Sequence, residues 1–502
     1  MTNPFQNQKI IELVSEYKNI WALEYLSNLA GWDIEVCMPK NGASDQGEAL
    51  SKAASLIQSF YLNDKFLELY ESAKSQSDLN DSEKAVLRVV GQSIDSFKKF
   101  PKEFVEEFSR EVTQSQVAWS KAKLNNDFEY FAPHLEKIVE LTIRKADYKG
   151  FKNDRYDALV DDYEFGLTTQ EIKDYFESIK PFLKDLLSYI KSSPKFIKQH
   201  PLELVKYDRT KLEALNSKIL NMLGTGNEVL RLDVSSHPFT QGFSPSHARI
   251  TTWYHDADIR KNLAATLHEY GHALFEIQCD PALAYSPIVG AESLGLHESQ
   301  SRFWENFVCR SKPFLKLIYG DLLELSPEFK NYTVDDFYFY FNRVNPDLIR
   351  VEADEVTYHF HIMIRFEMEQ MLLNKEITVR EAPKVWNAKY KEYLGVEPTD
   401  FRTGILQDIH WSGGSIGYFP TYSTGTVLSA MWKEKLESEL GSIDSLILSD
   451  GGFSKIKEWL KINIHQYGST YTFNELVSKQ LSKSFNADSW KKYLEYKYKE
   501  LY

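Results

Sequence analysis

Two histidines four residues apart, with a glutamate directly after the first, stand inside the apolar segment NLAATLHEYGHALFEIQ, residues 262–278. On a helix, positions four apart share one face, so His268 and His272 present two imidazoles to one point. That is the spacing of two ligands to a tetrahedral zinc ion. Glu269, between them, can accept a proton from water at the same point and later pass it on. A zinc hydrolase needs a third protein ligand and an open fourth position. Downstream, LGLHESQSRFWENF offers Glu298 among Leu296, Phe303 and Phe307. The neighbouring His297 is a rival, but two histidines and a glutamate match a known catalytic set better. The bland alternatives are two structural histidines on a buried helix, and a Glu298 that pairs with Arg302 one turn on. Nine of the twelve histidines fall between His237 and His410, which points to one polar centre. His359 and His361 are two apart in a helical run, face different sides, and read as structural.

These residues need helices to hold them, and the chain is suited to build them. Its 502 residues include 43% hydrophobic and 14% aromatic side chains, with only 17 prolines and 23 glycines. A chain so sparsely punctuated forms long helices and a large core. Segments such as KIIELVSEYKNIWALEYLSNLAGW and FAPHLEKIVELTIRKADYKG space apolar residues three and four apart. Asp81 and Ser82 read as caps of the segment after them, and Pro101 opens another. VLRLDV and ARITTWYH read as strands, with SSHPFTQGFSPSH between them as loop and residues 404–425 as a second loop. The expectation is a mainly α chain with a small β element beside the histidine helix. It is one unit over residues 1–502, with no linker to mark a boundary between lobes.

The net charge of -13 argues against nucleic acid as a partner. Cys37, Cys279 and Cys309 are scattered, which argues against a disulfide framework. The first residues read as a mature start, and no run reaches the length of a membrane span. Together these predict a soluble cytoplasmic protein.

Several separate motifs then accumulate: HPF at 237–239, HEYGH at 268–272, HESQSR at 297–302, IRVEAD at 349–354 and GILQDIHW at 404–411. With WDIEVCMPKNG at 32–42, this ordered set resembles the carboxypeptidase Taq family of metallocarboxypeptidases, from about residue 20 to the C-terminus. The resemblance implies a mostly helical fold with a deep groove, similar to the neurolysin and angiotensin-converting-enzyme type. It implies release of single residues from peptide C-termini with broad preference and poor action beside proline. It also implies zinc or cobalt as the metal, and a homodimer. One departure stands out. Where the family usually carries Asp-x-Arg-x-Thr, this chain has HARIT, with His247 in the aspartate position.

Within that reading, Glu269 is the general base. His410, Tyr418 and Tyr422 are candidates to stabilise the oxyanion, and the resemblance favours Tyr422 and His410. A free substrate carboxylate calls for arginine, whose fork is bidentate and always charged. Arg350 and Arg249 are the candidates, with His237 and Gln407 as further pocket residues. Asp354 is placed to pair with Arg350 or to orient a metal-binding histidine. The TTWY strand offers an edge to an extended substrate. The competing readings are a dipeptidyl carboxypeptidase or endo-oligopeptidase on the same scaffold, and a non-catalytic peptide-binding protein with a structural metal.

Overall fold

The computed structural model describes residues 4–226, 228–235 and 237–502. Helix follows helix through most of the chain, as the apolar spacing predicts. Among the described residues no helix is long and apolar enough to cross a membrane. Local chemistry fixes many helix starts. The helix Asp81–Lys99 is capped by Asn80, one residue earlier than the sequence suggests, in a reciprocal box with Glu83. Glu83 N–H donates to Asn80 Oδ1 at 3.0 Å, and Asn80 N–H donates to Glu83 Oε2 at 3.0 Å.

The helices surround two hydrophobic cores. The first four long helices, Gln8–Val36, Ala43–Tyr61, Asp64–Lys74 and Asp81–Lys99, enclose a core that includes Ile10, Leu13, Phe66 and Val90. Cys279, Leu283 and Ile288, just after the histidine helix, complete it. The second core is larger and runs through the remaining helices.

A three-stranded sheet lies beside the histidine helix Ile259–Gln278. Its strands are β1 (Leu230–Val234), β2 (Thr240–Ser244) and β3 (His247–Thr252), in the order β1-β3-β2. β1 pairs with β3 in parallel, and β2 pairs with β3 antiparallel. Thus the segment read as loop carries a strand, β2. With glycine and serine in TQGFS, it lacks the β-branched run that marks a strand, and pairing with β3 supplies the order instead. β3, expected to offer an edge, is central; the outer strands are β1 and β2, and β2 is the one that borders the cavity described below. Buried polar pairs seat the helix on the sheet. Thr252 and Thr266 share a hydroxyl contact of 2.8 Å, and Asn262 Nδ2 donates to the Trp253 carbonyl at 2.7 Å.

The segment 404–425 is made of turns only up to Phe419, after which the helix Pro420–Leu440 begins. Pro420 at its first position explains why a proline here starts a helix and does not break one. Tyr422 therefore projects from a helix, not from a loop.

Candidate active site

Three helices meet at the HEYGH turn. His268 and His272 stand one turn apart, with ring centroids 5.0 Å from each other. Glu298 comes from the short helix Leu294–Arg302, whose first turn is capped by Ser293. Two glycines allow the approach. A Cβ on Gly271 would lie 2.4 Å from the Gln300 carbonyl oxygen, and one on Gly425 would lie 2.6 Å from the Glu298 Cβ. Glu298 is thereby held between the histidine helix and Pro420–Leu440. Its Oε2 is 3.5 Å from His268 Nε2 and 3.3 Å from His272 Nε2. Four donors at about 2.0–2.2 Å from a tetrahedral ion stand about 3.3–3.6 Å apart. The Glu298 oxygen fits that spacing to both nitrogens, and the three donor atoms lie within 4.8 Å of one another, one cluster that could hold a metal. A positive charge among these three atoms would hold them at this spacing.

The surroundings favour that charge. Glu305 Oε2 meets His268 Nδ1 at 2.9 Å, which turns Nε2 toward Glu298. Glu305 is itself held by Arg302 at 3.0 Å and Arg310 at 2.7 Å, all three side chains being buried. It sits in a π-helical stretch, Phe303–Cys309, an irregularity common at functional sites. Arg302 Nε also donates to Glu298 Oε1 at 2.7 Å, so the expected pair one turn apart exists alongside the metal geometry. Burial alone would raise the pKa of Glu298, but His268 and Arg302 hold it well below the usual carboxylate range. Burial opposes charge on His268, yet Glu298 and Glu305 outweigh it and raise its pKa. The pKa of His272, shielded from most solvent and beside His297, is pushed down to about 3, so the ring is neutral, the state that metal binding requires.

Glu269 is buried, and its Oε2 accepts from the Thr240 hydroxyl of β2 at 2.7 Å. Burial raises its pKa, against the opposing pull of His268 and Thr240. That suits a group which must take up a proton and release it again.

A cavity of about 480 Å³ opens over this cluster, a size that holds a small ligand. Of the expected substrate-handling residues, His237, Arg350, His410 and Tyr422 border it. Arg350 is buried, its Nε donating to Asp408 Oδ1 at 2.9 Å and its Nη1 to the Tyr358 hydroxyl at 3.4 Å. These use two of the five guanidinium donors. Arg365 shares the same carboxylate, at 2.6 Å. Burial would raise the pKa of Asp408, but Arg350 and Arg365 hold it far down. The partner of Arg350 is therefore Asp408, not Asp354. Asp354 instead accepts from the backbone of Asn345, Val356 and Thr357, and Glu305 is the carboxylate that orients a histidine. His410 Nε2 lies 2.8 Å from the Tyr422 hydroxyl. Burial and Arg350 lower its pKa to about 3, so the ring is neutral.

Two expected residues stand apart from the cavity. Gln407 Oε1 accepts from Arg350 N–H at 2.9 Å, bracing the turn that carries the arginine. Arg249 Nε donates to His247 Nε2 at 3.0 Å, and its guanidinium rests on Trp32 and Phe243. His247 Nδ1 in turn faces the Tyr25 hydroxyl at 2.8 Å. A neutral imidazole has one donor and one acceptor. Accepting from Arg249 leaves Nδ1 to donate to Tyr25. In HARIT the histidine thus still braces the arginine, without an aspartate's charge. His297, the rival ligand, stacks on His272 at 4.4 Å and faces Glu276 at 3.0 Å. His359 and His361 are buried against Ser423 and Tyr390, as structural residues.

The sequence reading missed Thr240, Glu305 and Asp408. Asp408 follows Gln407 inside GILQDIHW, and Glu305 lies two turns beyond Glu298, so both were within reach of a search for charges near each motif.

A helical fold around a two-histidine, one-glutamate centre with a free glutamate beside it defines a metallopeptidase type of architecture. The chain belongs to the carboxypeptidase Taq (M32) metallopeptidase family, whose profile matches residues 12–498. It is 42% identical to thermostable carboxypeptidase 1 of Pyrococcus furiosus over 99% of this chain and 100% of that one. It is 34% identical to carboxypeptidase 1 of Bacillus subtilis, covering 98% and 97%. Among solved structures, a Pyrococcus furiosus carboxypeptidase superposes with a TM-score of 0.94 at 42% identity, covering 98% of this chain and 99% of that one. Metallocarboxypeptidase 1 of Trypanosoma cruzi gives 0.88 at 32% identity, with coverage of 98% and 99%.

Proposed function

We propose that this chain is a zinc-dependent carboxypeptidase that removes single residues from peptides with a free C-terminus. The observation that carries the reading is the buried Arg350, with donors to spare, in the same cavity as His268, His272 and Glu298. The relatives' names agree with it, each being called a carboxypeptidase.

A divalent ion held by His268, His272 and Glu298 would supply Lewis-acid chemistry to the peptide carbonyl and to water; their nitrogen and oxygen donors suit zinc. Glu269, aimed by Thr240, accepts the proton of the attacking water and returns it to the departing amine. Tyr422, held by the neutral His410, offers its hydroxyl to the developing oxyanion. Arg350 takes the substrate carboxylate, and Asp408 keeps its fork in place. The open edge of β2 receives the substrate backbone. Thr240 faces the general base and His237 lies towards Arg350, so the substrate runs antiparallel to the strand, its C-terminus at the arginine.

The test is digestion of a short free-acid peptide and of its C-terminal amide, read by mass. Loss of one residue from the acid alone is expected. Equal cleavage of the amide would point to an endo-oligopeptidase, and release of dipeptides to the dipeptidyl alternative.

A further inference from the structure

Among the residues of the histidine helix that border the cavity are Lys261, Ala264, Ala265, His268, His272 and Glu276. Lys261 lies two turns before His268, about 10 Å along the axis. Between them the two alanines offer only methyl groups, so this stretch of helix leaves space where its neighbours fill it. The space ends at an ion pair: Lys261 Nζ lies 2.7 Å from Glu352 Oε2. Glu352 belongs to the same short turn as Arg350, Arg350–Glu352. Val351 and Trp253 border the same space, and Trp253 Nε1 donates to the Lys261 carbonyl at 3.1 Å. The pair is not buried; the two side chains are 23% and 29% exposed.

A peptide bound by its carboxylate at Arg350 and by its last amide at the metal cluster must place its final side chain between these anchors. We infer that the space over Ala264 and Ala265 receives the C-terminal side chain of the substrate, and that Lys261 and Glu352 form its charge-exchanging end wall. This rests on the carboxypeptidase reading. An apolar side chain packs on Trp253 and Val351 and leaves the pair closed. A lysine or arginine takes Glu352 from Lys261. An aspartate or glutamate takes Lys261 from Glu352. Ion pairs so open to water are weak, so the exchange costs little and one pocket serves residues of either charge.

The experiment compares three peptides that differ only in the last residue, Arg, Glu or Leu, each normalised to the Leu peptide. It uses the metal-loaded parent and two variants, Glu352→Gln and Lys261→Met. For Glu352→Gln, the Arg/Leu ratio of kcat/KM is expected to fall about 2- to 5-fold while the Glu/Leu ratio rises. For Lys261→Met, the two ratios are expected to move in the opposite directions. Ratios unchanged in both variants, with release intact or uniformly reduced, would overturn the pocket and leave the pair as a brace between helix and turn. No release of the last residue from any peptide by the parent would overturn the carboxypeptidase reading and this inference with it.

Discussion

His268 depends on Glu305, which holds its Nδ1 at 2.9 Å and is anchored by Arg302 and Arg310. Such partners fix a ligand's tautomer and orientation, and losing one typically costs 10- to 100-fold in metal affinity. Glu305→Gln removes the charge while keeping the shape. Competition with a chelator should show metal affinity lower by about 10- to 100-fold. Unchanged affinity would mean that packing alone positions His268. This dependence explains what the sequence could not tell. The pairing of His268 with His272 was legible because helical spacing is a local property, whereas Glu298, on another helix, was read from the ligand set that two histidines and a glutamate make. The partners of the charges were not. Asp354 was the nearer choice in sequence for Arg350, but distant segments bring Asp408 to it. Arg249 was expected at the substrate carboxylate, and lies instead between Trp32 and Phe243, braced by His247.

Close helix packing at two glycines sets the spacing of the three candidate ligands. Gly271→Ala would force a methyl group to within 2.4 Å of a backbone oxygen of the helix that carries Glu298. Overpacking of this kind costs about 1–3 kcal/mol. Here it also pushes Glu298 from the histidines. The variant should melt at a lower temperature and bind less metal, measured by thermal unfolding and elemental analysis. Normal metal content would show that the two helices have room to part. Glu369 ties together the turns after residue 404. Buried, it accepts from Tyr156 at 2.7 Å, Trp411 at 2.8 Å and the Gly417 N–H at 3.1 Å. Burial raises its pKa to about 7, against the pull of these donors. A carboxyl raised in the folded state contributes stability that is fully present below its unfolded pKa, about 4.5. That contribution is lost as pH rises through about 7. The melting temperature should therefore fall between pH 5 and pH 8 by a few degrees, and Glu369→Gln should flatten that fall. An equal slope in the variant would assign the effect to other groups. The same region shows how reading by element fails: PTYSTG looks like a loop until Pro420 is recognised as the first residue of a helix.

At the scale of the whole molecule, the sheet, the histidine helix and the segments that carry Arg350 and Tyr422 border a common cavity. The helical architecture and the small sheet were legible because apolar spacing and the scarcity of proline and glycine act over the whole chain. β2 was hidden because its order comes from β3 and not from its own residues. If His268, His272 and Glu298 hold the metal while Glu269 does the proton transfer, the two roles separate in one substitution. Glu269→Gln removes the base and leaves His268, His272 and Glu298 untouched. The decisive measurement is metal content and turnover of this variant against the parent, on one free-acid peptide. About one ion per chain is expected in both proteins, with turnover in the variant nearly abolished. Metal retained together with normal peptide hydrolysis would contradict it.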